Sequence, residues 1–249
     1  ESLTGAKNVT GLTTSLSIDI SNFSAALAKE AYDGFTKLES LTITDTTTGD
    51  AVKTTEFPGG LNAATKTTLK TVTLSNNITT IPESAFAAYS ALTTINLAKV
   101  KTYGNYAFSG AIKLTAIDLT AAETIGAEAF AWLAEVQTLT IPATVKSVGA
   151  DAFKKMAKLK TLSINISNDN LKEVGAWFSD DAAIESITIE SAKLTKIAAN
   201  AFKDAAKLTT IDLSKATALN TVEANAFADN EYTSIKLAGT KLTDISNII

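Results

Sequence analysis

The chain has 249 residues, a net charge of −4 and a hydrophobic fraction of 45%, which is enough apolar side chain for a large packed core. It contains no Cys and no His, and all 22 of its basic residues are Lys. These absences exclude disulfides, thiolate or imidazole catalysis, the usual zinc ligand sets and bidentate arginine clamps, and the acidic balance disfavours nucleic acid as a partner.

The sequence shows neither a long apolar run nor a charged and then apolar leader. No apolar run approaches the ~20 residues that a membrane-spanning helix needs, so we expect no transmembrane segment. The sequence begins at Glu1 without a charged and then apolar leader, which indicates a mature or trimmed product.

Residues 1–34 differ from the rest of the chain, which is periodic. Alternating apolar residues at Leu16, Ile18 and Ile20 predict a strand. Apolar residues from Phe23 to Ala31 then recur at helical spacing and predict a helix. Because the terminal units of a repeat protein cover an open end of its core, we interpret residues 1–34 as an irregular N-terminal cap and residues 35–249 as one repeat domain.

The periodic part repeats the pattern of LTTINLAKVKTYGNYAF, which runs from Leu92 to Phe108. Successive phenylalanines fall 22, 22, 23, 25, 24 and 25 residues apart, at Phe86, Phe108, Phe130, Phe153, Phe178, Phe202 and Phe227. A period in this range is typical of a solenoid. An L-x-x-L-x-L run follows most of these rings, and the nine runs predict one parallel sheet of about nine strands, including a strand at Leu114-Ile117-Leu119.

Each turn of the predicted solenoid contains two further apolar elements. A second apolar pair, such as Val100 and Tyr103, is expected to fill the interior beside the sheet. An Ala-Phe pair follows, and its Phe ring is expected to fill the core of its turn and to stack on the Phe ring of the next turn. Polar residues two positions before Phe predict the starts of short helices; they are Ser84, Glu128, Asp151, Asn200 and Asn225.

These coupled positions resemble the BspA-like subtype of leucine-rich repeats from bacterial surfaces. The resemblance covers the chain from about Ala31 and is strongest in IPATVKSVGADAFKKMAKLKTLSI, from Ile141 to Ile164. It implies an α/β, right-handed leucine-rich repeat solenoid with short helices and turns opposite the sheet. It also implies an extracellular location and a role in adhesion or protein binding, and it transfers no catalytic residue. The family often has Cys three residues after Phe; in this chain that position holds Asp181, Asn230 and otherwise small or apolar residues such as Leu133.

Two irregularities interrupt the period. Between Phe57 and Leu69 the chain has six surplus residues beginning with Pro58-Gly59-Gly60, which predicts a surface loop. That loop and Phe57 are either a tolerated insertion or part of a binding site. In the shortened turn before Phe178, Trp177 replaces the usual Ala, and we expect its ring to lie in the core.

The chain ends in a partial repeat, at Ile249. A last strand without a partner has an unpaired edge, so end-to-end association at that strand is a prediction.

The outward positions of the predicted sheet are dominated by hydroxyl side chains, such as Thr71, Thr94 and Thr138, without any aromatic residue. Threonine suits strands because it is β-branched, so this composition has a structural explanation. The alternative is a weak, hydrated binding site for a glycan or an extended polypeptide. Exposed aromatic rings are expected elsewhere, because Tyr106 and Trp132 occupy otherwise polar positions on adjacent turns.

No candidate catalytic, metal or cofactor site stands out. Asp118 and Asp212 lie four predicted strands apart, roughly 19 Å, too far for an acid/base pair. The acidic stretch at residues 45–50 lacks the spacing of a calcium loop.

We therefore predict a non-catalytic binding or adhesion module that contacts a protein or glycan at the cell surface, with Tyr106, Trp132 and Phe57 as candidate contact residues. The alternatives are a rigid spacer within a longer surface protein and, least favoured, a carbohydrate-active enzyme that uses carboxylates alone.

Overall fold

A computed structural model describes residues 13–19, 35–45, 56–57, 61, 63–167, 169–230, 232–246 and 248. Its strands are short and its only helix within these residues is a 3₁₀ turn at Ala63–Thr67. In chain order the strands are β1 (Ser15–Asp19), β2 (Ser40–Thr44), β3 (Thr71–Thr73), β4 (Thr80–Ile81), β5 (Thr94–Ile95), β6 (Thr102–Tyr103), β7 (Thr124–Ile125), β8 (Thr138–Ile141), β9 (Ser147–Val148), β10 (Thr161–Asn165), β11 (Glu173–Val174), β12 (Ser186–Glu190), β13 (Lys196–Ile197), β14 (Thr210–Lys215), β15 (Thr221–Val222) and β16 (Ser234–Lys236).

The fold is a parallel β-solenoid with two strand layers, and most turns contribute a strand to each layer. The leucine-rich runs form the first layer, as two sheets in the orders β1-β2-β3-β5 and β8-β10-β12-β14-β16. The second apolar pairs form the other layer, as two-residue strands in the orders β4-β6-β7-β9 and β11-β13-β15. Every pairing is parallel and joins equivalent residues of successive turns, for example Leu162 with Ile187, except for a one-residue register shift that pairs Glu190 with Lys215.

Alternation along the first layer defines its two faces. In β10, Leu162 and Ile164 are buried while Thr161 is exposed and Ser163 and Asn165 are partly exposed, as the L-x-x-L-x-L pattern predicts. The second apolar residues, including Val100 and Tyr103, close the interior from the other side. The sequence prediction of a solenoid with one apolar layer per turn is confirmed.

The Phe rings form the continuous stack that their spacing predicts. Phe86, Phe108, Phe130, Phe153, Phe178, Phe202 and Phe227 are all buried, and neighbouring centroids lie 5.1 to 5.7 Å apart with interplanar angles of at most 16°. This offset stacking adds to the free energy that each ring contributes by burial. Trp177 lies at one edge of the stack and is 4% exposed, so its predicted core position is confirmed.

The strand predicted at Leu114-Ile117-Leu119 is absent. Residues 114–119 take no strand conformation, and the first layer is divided at this point between β5 and β8. The count of nine first-layer strands is restored by β1, which lies in the segment interpreted as a cap and pairs with β2 in the regular register. The helix predicted before Ala31 lies outside the described residues, and the division at residue 34 stays a prediction.

The short helices predicted at the Phe turns are also absent. Ser84, Glu128, Asp151, Asn200 and Asn225 have φ between 50° and 59°, a left-handed conformation that cannot start an α-helix. The turn backbones instead hydrogen-bond to the next turn of the solenoid, as when Phe86 N donates to Ala107 O (2.8 Å). Bonding between turns replaces the bonding along a helix axis that the sequence pattern suggested.

Candidate functional site

Six of the seven Phe turns from Phe86 to Phe227 hold two residues in the left-handed conformation, one two positions before Phe and one two positions after it, and the Phe178 turn holds only the later one, Asp180. The earlier position includes Tyr106 and Glu128, and the later one includes Gly110, Trp132 and Asp204. Gly, Asn and Asp tolerate this conformation, whereas a bulky side chain there is an outlier. Seven of the thirteen residues at these positions are Gly, Asn or Asp, and Tyr106 and Trp132 are the two aromatic ones.

Tyr106 and Trp132 lie on consecutive turns of the solenoid, on the side opposite the first-layer sheets. Tyr106 is 41% exposed and has a φ of 57°, and Trp132 is 47% exposed and has a φ of 66°. Both are anchored by the ladder between turns, since Tyr106 N donates to Ala127 O (2.9 Å) and Trp132 N to Lys154 O (2.8 Å). The rings are therefore presented to solvent from a fixed backbone.

The Trp132 ring has a cationic neighbour. Lys155 Nζ lies 4.3 Å from the ring centroid, and the same ammonium group is 3.7 Å from Asp180 Oδ2. A cation–π contact at an exposed site stabilises by only about 0.5–1 kcal/mol. It orients the indole but leaves nearly half of the residue accessible.

Ile112 is a third exposed apolar residue, which the sequence reasoning missed. It is 43% exposed, and the only other large exposed hydrophobic residue among those described is Ile245. The signal was present, because equivalent positions four residues after Phe hold Ser90, Ala134, Ala157, Ala182 and Ala206. We call Tyr106, Ile112 and Trp132 the aromatic surface; all three lie on the turns that contain Phe108 and Phe130.

Phe57 does not belong to this surface. It is 0% exposed, and its ring centroid lies 4.7 Å from that of Phe86, so it continues the stack at its N-terminal end. Its expected role as a contact residue is therefore wrong for the ring itself, because a buried ring cannot reach a partner. Residues 58–60, the turn signal of the predicted loop, lie outside the described residues.

The outward face of the first layer is polar, as its composition predicts. Oppositely charged residues of adjacent turns pair across it, including Lys215 with Glu190 (2.6 Å) and Lys236 with Asp212 (3.1 Å). Exposed pairs of this kind contribute little to stability. They do neutralise each other's charge, so most of this face has neither a strong electrostatic potential nor a side chain suited to hold a binding partner.

The break in the first layer creates a shallow depression on this face. Within the described chain, residues 115–118 make no backbone hydrogen bond to either neighbouring turn. A depression of about 260 Å³ lies beside them, lined by Asp118, Thr120, Thr138, Thr140 and Pro142 together with Ile117 and Leu119. The hydrogen bonds from the Thr120 hydroxyl and backbone N–H hold the pKa of Asp118 below its usual value.

A second carboxylate is buried inside the solenoid. Asp181 is 0% exposed, its Oδ1 accepts a hydrogen bond from Met156 N (2.5 Å), and its Oδ2 has no partner among the described residues. Burial, with the nearby charges of Asp180 and Asp151, raises its pKa to about 8. Asp181 occupies the core position held by Leu133 and Met156 in other turns, and its raised pKa favours the neutral carboxyl group there.

No cluster of three or more acidic residues that could hold a metal ion is present among the described residues. Likewise, no helix in this part of the chain is long and apolar enough to cross a membrane.

The two strand layers, the Phe stack and the turn-to-turn hydrogen bonds define a leucine-rich repeat solenoid. The chain belongs to the family described as "BspA type Leucine rich repeat region (6 copies)", whose profile matches residues 11–122, 60–174 and 123–249. This confirms the family that the sequence resembles.

Solved structures with a similar chain path come from several bacteria. A leucine rich cell surface protein from Faecalibacterium prausnitzii is 18% identical over 82% of this chain and 74% of its own, with a TM-score of 0.47. The T. pallidum Leucine Rich Repeat protein (TpLRR) is 15% identical over 85% of this chain and 81% of its own, with a TM-score of 0.48. No curated protein matches the sequence, and no residue role is carried over from these structures.

Proposed function

We propose that this chain is a non-catalytic binding module of a bacterial surface protein, and that it contacts a protein or glycan through the aromatic surface. The observation that carries the proposal is the clustering of exposed apolar residues. Tyr106, Ile112 and Trp132 are three of the four large exposed hydrophobic residues described, and they share two consecutive turns. Tyr and Trp are the residues that most often anchor an interface.

Backbone strain supports the same surface. A left-handed conformation costs roughly 1–2 kcal/mol for a residue with a Cβ, and Asn, Asp or Gly would reduce that cost at both positions. Other turns of this chain use those residues, with Asn200 equivalent to Tyr106 and Asp204 equivalent to Trp132. Bulky rings at strained, exposed positions are better explained by a requirement of the surface than by a requirement of the fold.

The surroundings suit a partner that covers flat apolar area. Gly110 lies directly beneath Trp132 in the equivalent position of the preceding turn and adds no side chain, so the area around the indole is open. Lys155 and Asp180 flank the ring with one charge of each sign. Such a site can pack on an apolar protein side chain or on the C–H face of a sugar ring.

An extracellular location belongs to the same proposal. It is supported by the family and by the description of the Faecalibacterium prausnitzii relative as a cell surface protein.

A rigid spacer is the second candidate, favoured by one specific observation. The rings of Phe57, Phe86 and the six later phenylalanines form an unbroken stack through the described repeats. A continuous close-packed core resists bending, which suits a module that holds another domain away from a surface. This role needs no exposed aromatic residue and predicts no ligand.

The two candidates are separated by a binding screen with matched variants. The wild-type chain, a Tyr106→Asn/Trp132→Asn double variant and an Ile245→Asn control are tested against arrays of glycans and of extracellular host proteins. The control removes an exposed apolar side chain outside the aromatic surface. We expect a ligand that the wild type and the control retain and the double variant loses.

The choice of Asn keeps the test free of folding artefacts. At Tyr106 the substitution relieves about 1 kcal/mol of strain. At Trp132 that gain is offset by the lost contact with Lys155, worth about 0.5–1 kcal/mol. Equal binding by all three proteins would remove the aromatic surface from the proposal, and no binding by any of them would favour the spacer.

A further inference from the structure

The outward face of the first layer holds two aspartates in the same local geometry. Asp118 precedes Thr120 by two residues, and Asp212 precedes Ser214 by two residues. In both cases the hydroxyl and the backbone N–H of the later residue donate to Oδ1, at 2.6 and 2.9 Å for Asp118 and at 2.6 and 3.0 Å for Asp212. Each carboxylate is therefore fixed, with its Oδ2 turned away from that clamp.

At Asp212 the chain itself supplies a ligand for the second oxygen. Lys236, the paired residue on the next turn, places its Nζ 3.1 Å from Asp212 Oδ2. The Ser214 hydroxyl and N–H, followed by this lysine, lower the pKa of Asp212 to about 2. The geometry of the clamped aspartate is thus shown to accept a primary ammonium group from one turn further along.

At Asp118 the position equivalent to Lys236, on the next turn, holds an uncharged residue. The residue of the next turn is Thr140, whose short hydroxyl side chain replaces the lysine. On the preceding turn, the Asn96 amide is already hydrogen-bonded to the Leu74 backbone. Its Oδ1 accepts from Leu74 N (2.6 Å) and its Nδ2 donates to Leu74 O (2.9 Å). Among the described residues, no hydrogen bond or ion pair reaches Asp118 Oδ2.

The surroundings of Asp118 give an approaching group room. The break in the sheet produces the depression of about 260 Å³, and Thr138, Thr140 and Thr120 line it with Asp118. Their hydroxyl oxygens can accept the remaining hydrogens of an ammonium group. Ile117 and Asp118 also line the depression, and their backbone groups are unpaired with either neighbouring turn.

We propose that the Asp118 depression is a second binding site, distinct from the aromatic surface, and that it accepts a lysine side chain of a partner protein. The occupant follows from charge complementarity and from the internal example at Asp212. The aliphatic stem of lysine crosses the shallow rim, and its ammonium group meets the free carboxylate oxygen and the threonine hydroxyls.

The test is an NMR titration that follows the backbone amide of Thr120, because that N–H donates to Asp118. The probes are an acetylated and amidated Gly-Lys-Gly peptide, the same peptide with norleucine, glucosamine and calcium chloride. We expect the lysine peptide alone to move the Thr120 signal in a saturable way. Removing the charged acceptor in Asp118→Asn should reduce that shift to less than about a fifth.

Two reciprocal variants use the Asp212–Lys236 ion pair as a control. Thr140→Lys should supply the missing ammonium from within the chain and abolish the response of Thr120 to the peptide. Lys236→Met should open the second site, so that the Ser214 amide, silent in the wild type, begins to respond.

Three outcomes would overturn the proposal. They are an equal response to the lysine and norleucine peptides, a response that survives Asp118→Asn, and a site that responds to calcium or glucosamine but not to the lysine peptide.

Discussion

The buried carboxyl group of Asp181 should make the free energy of unfolding depend on pH. The pKa of this carboxyl group, ordinarily 3.8, is raised to about 8 in the folded chain. Between these values the folded chain holds a proton that the unfolded chain has released, so the free energy of unfolding falls as pH rises. The slope from this group alone is about 1.4 kcal/mol per pH unit.

The Asp181→Asn substitution should remove that slope. The amide keeps the acceptor for Met156 N, and it leaves one polar atom without a partner, as the protonated acid does. It has no ionised form, however, so the penalty of about 4 kcal/mol that Asp181 carries at pH 7 disappears. The variant should be more stable than the wild type at pH 7, and at pH 4.5 that difference should shrink to about 1 kcal/mol.

Urea denaturation followed by tryptophan fluorescence, at pH 4.5 to 8.5, measures this difference directly. The matched control is Asp180→Asn, whose side chain is 50% exposed and whose effect should be small at every pH. Wild-type and Asp181→Asn curves that stay parallel across this range would refute the reasoning, since they would show that the folded chain accommodates the ionised carboxylate.

Three further substitutions test the packing. Phe130→Ala should lower the free energy of unfolding by about 3–5 kcal/mol, because the ring is 0% exposed and stacks on both neighbours; a loss below 1 kcal/mol in a denaturation series would show that the stack is not essential. Gly149→Ala should prevent close stacking of the turns, since a Cβ there would lie 2.3 Å from Ala127 N; the companion change Ala198→Gly, at the equivalent position of a later turn, should have a small effect on melting temperature. Tyr103→Phe should stabilise the chain by about 1 kcal/mol, because the buried hydroxyl has no partner among the described residues; destabilisation in calorimetry would indicate a partner for that hydroxyl.

Much of the fold could be predicted because many positions change together in each repeat. The spacing of the Phe residues from Phe86 to Phe227 specifies stacked layers, and the apolar alternation in runs such as residues 159–164 specifies which side chains point inward. These patterns are repeated so often that one irregular turn does not obscure them.

The misses share a physical cause, which is that contacts between turns override local propensity. Ser84 and Asn200 are good helix starters in isolation, yet the backbone there bonds to the next turn and adopts positive φ. The run from Leu114 to Leu119 has the strand pattern but lies where the neighbouring first-layer strands are not paired to it. Neither outcome can be read from a single repeat, because both depend on how successive turns are spaced.

The candidate surfaces were only partly accessible to sequence reasoning. Tyr106 and Trp132 could be placed on the outside from their columns, and Ile112 could have been found by the same comparison. The depression at Asp118 could not, since it exists only because the sheet is interrupted. End-to-end association at the last strand stays a prediction.

The most direct test of the central claim uses the chain's own two tryptophans. Trp132 is 47% exposed and Trp177 is 4% exposed, so acrylamide should quench Trp132 far more strongly. We predict that a saturating concentration of any ligand found in the screen protects Trp132 of the wild-type chain from acrylamide quenching. The Ile245→Asn control should show the same protection. A bound ligand that leaves the quenching of Trp132 unchanged would contradict the account and place the binding site elsewhere on the solenoid.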